Sequence, residues 1–159
     1  MKKSDFILVG VIIVIAVVAF ISSKGNIVLE EVDYPLTLVG DSGLHQMNYE
    51  QYNEFVENGD AFIVVIERTG CSFCTMYMPI VEEVANENKI PLYYIDIANL
   101  TQDDLNDLSY SNDYLRKNSD WGTPTTLFML GDRVLDAIGG YVEKDNLLSF
   151  IDGKVIVGE

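Results

Sequence analysis

The sequence predicts an α/β domain in which helices cover both faces of a mixed central sheet. Three observations carry this. Ala61-Phe62-Ile63-Val64-Val65-Ile66 is apolar and β-rich with no polar alternation, as expected of a central strand buried on both faces. Directly behind it, Cys71-Ser72-Phe73-Cys74 marks a strand-to-helix turn and a helical pattern resumes. The segments along the chain read in the order β-α-β-α-β-β-α, which builds a sheet layered with helices.

Taken in order, residues 26–43 read as a tether holding a first short strand, Leu36-Thr37-Leu38-Val39, followed by a turn at Gly40-Asp41-Ser42-Gly43. The domain proper is placed at 44–159. Asn48 opens a helix with Gln51 as its capping-box partner; Tyr49, Tyr52, Phe55 and Val56 form its apolar stripe and Asn58-Gly59-Asp60 stops it. The helix behind the cysteines runs from about 72 to 88, with Met76, Ile80, Val81, Val84 and Ala85 facing inward and a kink expected at Pro79. Ile90 to Ile97 is the next strand. Residues 98–120 are polar and helical, with Thr101 as a cap and Leu105, Leu108, Tyr114 and Leu115 as a patchy apolar face. Thr125 to Leu130 and Arg133 to Ile138 form a hairpin around Gly131-Asp132, and a last helix from about Glu143 carries Leu147, Leu148, Phe150 and Ile151.

The formal net charge is −15 over 159 residues. Such an acidic chain is a poor match for nucleic acid or for anionic lipid headgroups. Residues 1–25 differ from the rest: Lys2 and Lys3 precede an unbroken apolar run from Phe6 to Ile21, then Ser22-Ser23. At a rise of about 1.5 Å per residue the run from Phe6 spans roughly 24 Å, and including Ser23 brings it near the ~30 Å of a hydrocarbon core. A retained signal anchor through residues 6–23 is the expectation, with a cleaved and secreted form as the alternative. The basic flank stays cytoplasmic, which places the domain outside the cytoplasm.

Cys71 and Cys74 are the only cysteines. Their spacing at a strand-to-helix turn is that of a dithiol redox centre. Residues three apart share one helix face, so the sulfurs can close a small ring. The first also lies at the helix N-terminus, where unpaired N–H groups and the macrodipole favour a thiolate. Cys71 is therefore the expected nucleophile and Cys74 the resolving thiol. A strongly oxidising site needs a dedicated donor beyond the helix end. Ser72 offers one hydroxyl and no histidine is near in sequence, so an intermediate potential is expected. A structural disulfide is the competing reading, but so tight a loop gains little from chain entropy. With two cysteines and the single His45, a four-ligand zinc site is not built within one chain, and no cofactor is called for.

The order of elements, with its landmarks, resembles the thioredoxin fold across about residues 44–152. The cysteine pair opens a helix after a buried strand. Pro79 stands eight residues after Cys71, where thioredoxins carry a proline. Gly122-Thr123-Pro124-Thr125 precedes a hairpin, where the family has its cis-proline loop, and the Gly139-Gly140 break and closing helix follow. The stretch Ile66 to Cys74 is further similar to membrane-anchored thioredoxin-like proteins of Gram-positive bacteria, including bacteriocin transport accessory proteins. The resemblance implies a cis peptide before Pro124 and a substrate-binding surface of Thr123, Pro124 and Trp121, with Ser72, Phe73 and Glu67 tuning the thiols. The chain departs from the family in four places. Gly70 stands where thioredoxins have Trp, Ser72-Phe73 where they have Gly-Pro, and Val65 where they bury an acid; Glu67 or Arg68 could stand in for that acid, but surface placement of both is the expectation. The segment between Asp96 and Pro124 is also long.

The function expected from these readings is a membrane-anchored, extracytoplasmic thiol-disulfide oxidoreductase. It would exchange disulfides with the thiols of secreted or surface proteins and be served by a membrane-bound redox partner, with no role for nucleic acid. The alternative is a non-catalytic accessory or binding module of a bacteriocin-type export system with a structural disulfide.

Overall fold

The computed structural model describes residues 32–158. Strand β1 (Gly43–Gln46) leads to helix α1 (Tyr49–Asn58), central strand β2 (Ala61–Glu67), helix α2 (Ser72–Glu87) and strand β3 (Pro91–Asp96). A single 3-10 turn, Ile97–Asn99, then precedes helices α3 (Gln102–Tyr110) and α4 (Asp113–Lys117). Strands β4 (Thr125–Leu130) and β5 (Arg133–Gly139) form the hairpin, and α5 (Lys144–Ile151) closes the chain. The sheet order is β1-β3-β2-β4-β5. β2 runs parallel to β3 and antiparallel to β4, so it is central, and the residue after its C-terminal end opens the cysteine loop.

Every residue of β2 from Ala61 to Ile66 is buried, because the strand is covered on both faces. Ala61, Ile63 and Val65 join a core under α2 and α5 with Tyr77, Val81 and Phe150. Phe62, Val64 and Ile66 join a second core with Tyr52, Leu108 and Leu115, under α1, α3 and α4. Rings stitch α1 to the sheet: Phe55 meets Phe62 at 5.4 Å and Tyr93 at 5.1 Å, both edge-on, the geometry that aromatic quadrupoles favour. The α1 start is as read: the Asn48 side chain accepts from the Gln51 amide and Gln51 reaches back to the Asn48 amide. Gly59 ends it in the left-handed conformation that glycine adopts without penalty.

Two expectations are corrected. The first strand is not Leu36–Val39 but Gly43–Gln46, after the turn rather than before it. Leu36 instead makes an isolated bridge to Val155, and Leu38 is buried in the first core. Residues from Asp33 onward thus belong to the compact unit, so the later part of the presumed tether is packed against the domain. The turn has a fixed shape. Gly40 sits at φ +97°, and a Cβ there would lie 1.9 Å from the Tyr93 hydroxyl, which donates to the Val39 carbonyl at 2.9 Å. The second correction concerns Met76, expected to face inward but 51% exposed. The buried stripe of α2 is Cys74, Tyr77, Val81, Val84 and Ala85; a 3.6-residue period through these positions carries Met76 well off the core face.

The polar segment 98–120 folds as α3 and α4. Thr101 and Asp104 make a second capping box, and Asn112 caps α4. Leu108 and Leu115 dock on the sheet, while the Tyr52 hydroxyl meets Ser111 Oγ at 2.9 Å and accepts from Asn112 Nδ2 at 3.2 Å. Among the described residues no helix is long and apolar enough to cross a membrane; the anchor expected at 1–25 lies outside the described residues.

Candidate functional site

Cys71 and Cys74 sit where β2 hands over to α2. Cys71 is the N-cap of α2, in extended conformation, and its sulfur accepts from the Cys74 backbone N–H at 3.2 Å. A sulfur in the N-cap position faces the orphan amides of the first turn, which stabilise negative charge. From the other side the Cys71 thiol donates to the Thr123 carbonyl at 3.4 Å. Both cysteines are free; Cys71 is partly exposed, whereas Cys74 is only 1% exposed.

The two thiols are pushed in opposite directions. Burial raises the Cys71 thiol, but hydrogen bonds from the Cys74 and Thr123 side chains and from the Cys74 and Phe73 backbone outweigh it, so it lies below its ordinary value. Burial also raises Cys74, its contact with Cys71 adds to this, and it lies above its ordinary value. One sulfur is partly exposed and favours the thiolate. Its neighbour is covered and holds its proton.

The Thr123–Pro124 peptide bond is cis, as read from the sequence. Thr123 is half-buried and Pro124 buried; the Pro124 carbonyl accepts from the Gly140 amide at 2.8 Å, which brings the Gly139-Gly140 break beside the same loop. Trp121 is half-buried and packs on the second core. Ser72 is exposed, and Phe73 projects into solvent at 59% exposure. Val65 is fully buried opposite Thr126 on β4, and there the Tyr77 hydroxyl and Thr126 Oγ1 satisfy each other at 3.0 Å. Glu67 is half-buried at the end of β2, in register with Asp96. Burial and then the Asp96 charge raise its carboxyl above the usual range. Arg68 is exposed.

Asp96 is the functional neighbour that the sequence reading passed over. It ends β3 and is 5% exposed. Its carboxylate accepts from the Thr69 amide at 3.0 Å, the Thr69 hydroxyl at 2.6 Å, the Ala98 amide at 2.9 Å and Asn99 Nδ2 at 3.0 Å. Burial pushes this carboxyl up, but the Thr69 and Ala98 hydrogen bonds and the Arg68 charge overcome it, leaving it below the usual carboxylate range. Thr69 lies two residues before Cys71, and the Cys71 amide donates to the Arg68 carbonyl at 3.0 Å. Asp96 therefore pins the loop that delivers Cys71 to the helix end. The only sequence signal was an acid ending an otherwise apolar strand.

A groove of about 720 Å³ runs beside α4 and β5, lined by Lys117, Arg133 and Asp136 among others, and contains neither cysteine. Among the described residues no three His, Cys, Asp or Glu side chains converge so that they could hold a metal ion.

No protein-family model and no curated protein matches the chain by sequence. Solved structures do. Thioredoxin Mala s 13 of Malassezia sympodialis superposes with a TM-score of 0.53 at 16% identity, over 74% of this chain and 96% of its own. The chain has the thioredoxin fold. Thioredoxin NaTrxh of Nicotiana alata matches at 0.52 and 16% identity, over 76% of this chain and 95% of that one. Oxidized thioredoxin O2 of Arabidopsis thaliana matches at 0.52 and 18% identity, over 70% and 93%. Within a thioredoxin fold, the C-terminal end of the central strand is here occupied by Cys71, Cys74, Thr123 and Pro124 together.

Proposed function

We propose that the protein is a thiol-disulfide oxidoreductase acting on other proteins through Cys71 and Cys74. The observation that carries this is the division of labour between the sulfurs: Cys71 is partly exposed, lowered and amide-capped, and Cys74 is buried and raised. The Cys71 thiolate attacks one sulfur of a substrate disulfide; that S–S bond breaks, and the departing thiolate takes a proton from water. Cys74 then loses its proton and attacks Cys71 Sγ in the mixed disulfide. A Cys71–Cys74 disulfide forms and the second substrate thiol leaves, so the substrate has gained two electrons and the protein has lost two. Run backward, the same steps oxidise a substrate dithiol.

The basic, then apolar, residues 1–25 support a membrane-anchored form with the domain outside the cytoplasm. The likeness of Ile66 to Cys74 to membrane-anchored Gram-positive thioredoxin-like proteins supports the same setting and, with it, substrates among secreted or surface proteins. Its electrons are exchanged with a membrane-bound thiol partner. An extracytoplasmic compartment is also where disulfides persist.

Reduction of insulin by dithiothreitol in the presence of the full-length protein tests the activity. The wild type accelerates it, and Cys71→Ser returns the rate to the uncatalysed background. Equal behaviour of the two would make this a binding module with an inert cysteine pair.

A further inference from the structure

Tyr34, Ile156 and Val157 are large apolar side chains exposed at 40%, 53% and 51%, and they lie on two chain segments that run side by side. The Leu36 amide donates to the Lys154 carbonyl at 2.8 Å and the Ile156 amide to the Leu36 carbonyl at 2.9 Å, which fastens the entering segment to the leaving one. These segments meet the domain at the end opposite the dithiol. The Gly158 amide donates to the carbonyl of Asn88, the C-cap of α2, and the Val39 amide to the carbonyl of Ala61, the first residue of β2. Cys71 stands at the other end of both elements. From Cys71 to Asn88 along α2 is roughly 25 Å at about 1.5 Å per residue.

Resting on the membrane-anchored reading proposed above, we propose that Ile156 and Val157, with Tyr34 beside them, dock on the surface of the lipid bilayer and hold the dithiol away from it. The occupant follows from the chain that enters here. The apolar run ends at Ile21, followed by Ser22-Ser23, and nine residues, Lys24 to Val32, lead to Asp33, where the compact unit begins. Fully extended, such a link reaches about 30 Å at most. A bilayer spanned by residues 6–23 is thus always within reach of this face. So short a link also makes even a weak contact intramolecular, at a high effective concentration. The charges suit a lipid surface without net charge: Asp33, Asp152 and Glu159 nearly balance Lys89 and Lys154, whereas the whole chain stands at −15. Tyrosine and large aliphatic side chains are those that settle at headgroup level. Docked this way, the domain presents Cys71 at the far end of α2, roughly 25 Å from the lipid-facing end. Its substrates are then proteins of the aqueous space rather than thiols within the bilayer, and a membrane-bound thiol partner meets it through a domain that rises as far.

The test follows tryptophan emission of the full-length protein in phosphatidylcholine vesicles, either plain or carrying bromine on the acyl chains, which quenches only at close approach. The reporter is Ile156→Trp combined with Trp121→Phe, and Val157→Trp replaces Ile156→Trp if the first variant folds poorly. Flotation with the vesicles establishes that the chain is anchored. In brominated lipid the reporter loses roughly half or more of its emission, because side chains docked in this way sit about 5–10 Å into the boundary of headgroups and acyl chains. The wild type, whose one Trp is Trp121, two residues before the Thr123 that meets Cys71, keeps its emission. Adding Tyr34→Ser and Val157→Ser to the Ile156→Trp reporter shifts the docked population about tenfold or more toward the undocked one and restores the emission. Equal reporter emission in the two lipids from protein that floats overturns the docking while leaving the anchor standing, and so does equal quenching of Trp121. Protein that does not float with the vesicles removes the anchored reading, and the docking with it.

Discussion

Replacing Cys74 with serine leaves Cys71 covalently joined to its substrates. Cys71 keeps its N-cap position and its partial exposure, because the Cys74 backbone N–H that caps it is retained, and serine still offers a hydroxyl where the Cys74 thiol hydrogen-bonds Cys71. Attack on a substrate disulfide therefore still occurs, while the group that releases the product is gone. Well-oriented intramolecular attack can match an external reagent at up to about 10⁵ M. Losing it prolongs the mixed disulfide by at least roughly a thousandfold against any real thiol pool. Non-reducing electrophoresis of extracts from cells expressing Cys74→Ser shows this as adducts that vanish on reduction. The additional change Cys71→Ser abolishes them. Equal adducts with Cys71→Ser alone, which keeps Cys74, would show that the captured sulfur is bonded to Cys74 rather than to Cys71.

Asp96→Ala is the substitution with the largest expected effect on stability. It removes the acceptor for the amide and hydroxyl of Thr69, the Ala98 amide and Asn99 Nδ2 at once. Unsatisfied groups near the interior cost about 1–3 kcal/mol each, and partial access of water to this loop holds the total to about 3 kcal/mol. Urea denaturation at neutral pH should show that loss. The pH dependence has a definite sign. Folding lowers the Asp96 carboxyl, so its contribution is complete above the unfolded value of about 3.9. It fades as pH falls through the folded value, and the gap between wild type and variant narrows there. A gap that stayed constant into that acidic range would mean that Asp96 acts through packing alone.

Much of the frame was readable because its signals are local. The unbroken run Ala61–Ile66, the Asn48–Gln51 box and the Cys71–Cys74 spacing each fit within one element, and each reads the same way in the fold. What escaped depends on distant partners. Asp96 looks like an ordinary acid at a strand end until Thr69, 27 residues earlier, is brought against it. β1 reads Gly-Leu-His-Gln, an edge strand without alternation, whereas Leu36–Val39 has better strand composition but finds only Val155 as a bridge partner. Met76 is apolar and within one position of the buried stripe, so composition favours burial; the phase set by Cys74, Tyr77 and Val81 turns it outward. At the site itself, the cysteines were legible from spacing and the Thr123–Pro124 loop from its resemblance. The loop anchor was legible from neither.

The central claim is that one sulfur of the pair is poised to react and the other is withheld. Alkylation of the reduced full-length protein by limiting iodoacetamide across pH, with the modified peptide identified by mass spectrometry, reads this directly. Because the thiolate is the nucleophile and Cys71 is lowered while Cys74 is raised, the label should fall on Cys71. Its rate should rise with pH and level off below the range of an ordinary cysteine, near 8.5. Labelling of Cys74 first, or a Cys71 profile that coincides with that of a free cysteine, would contradict the account.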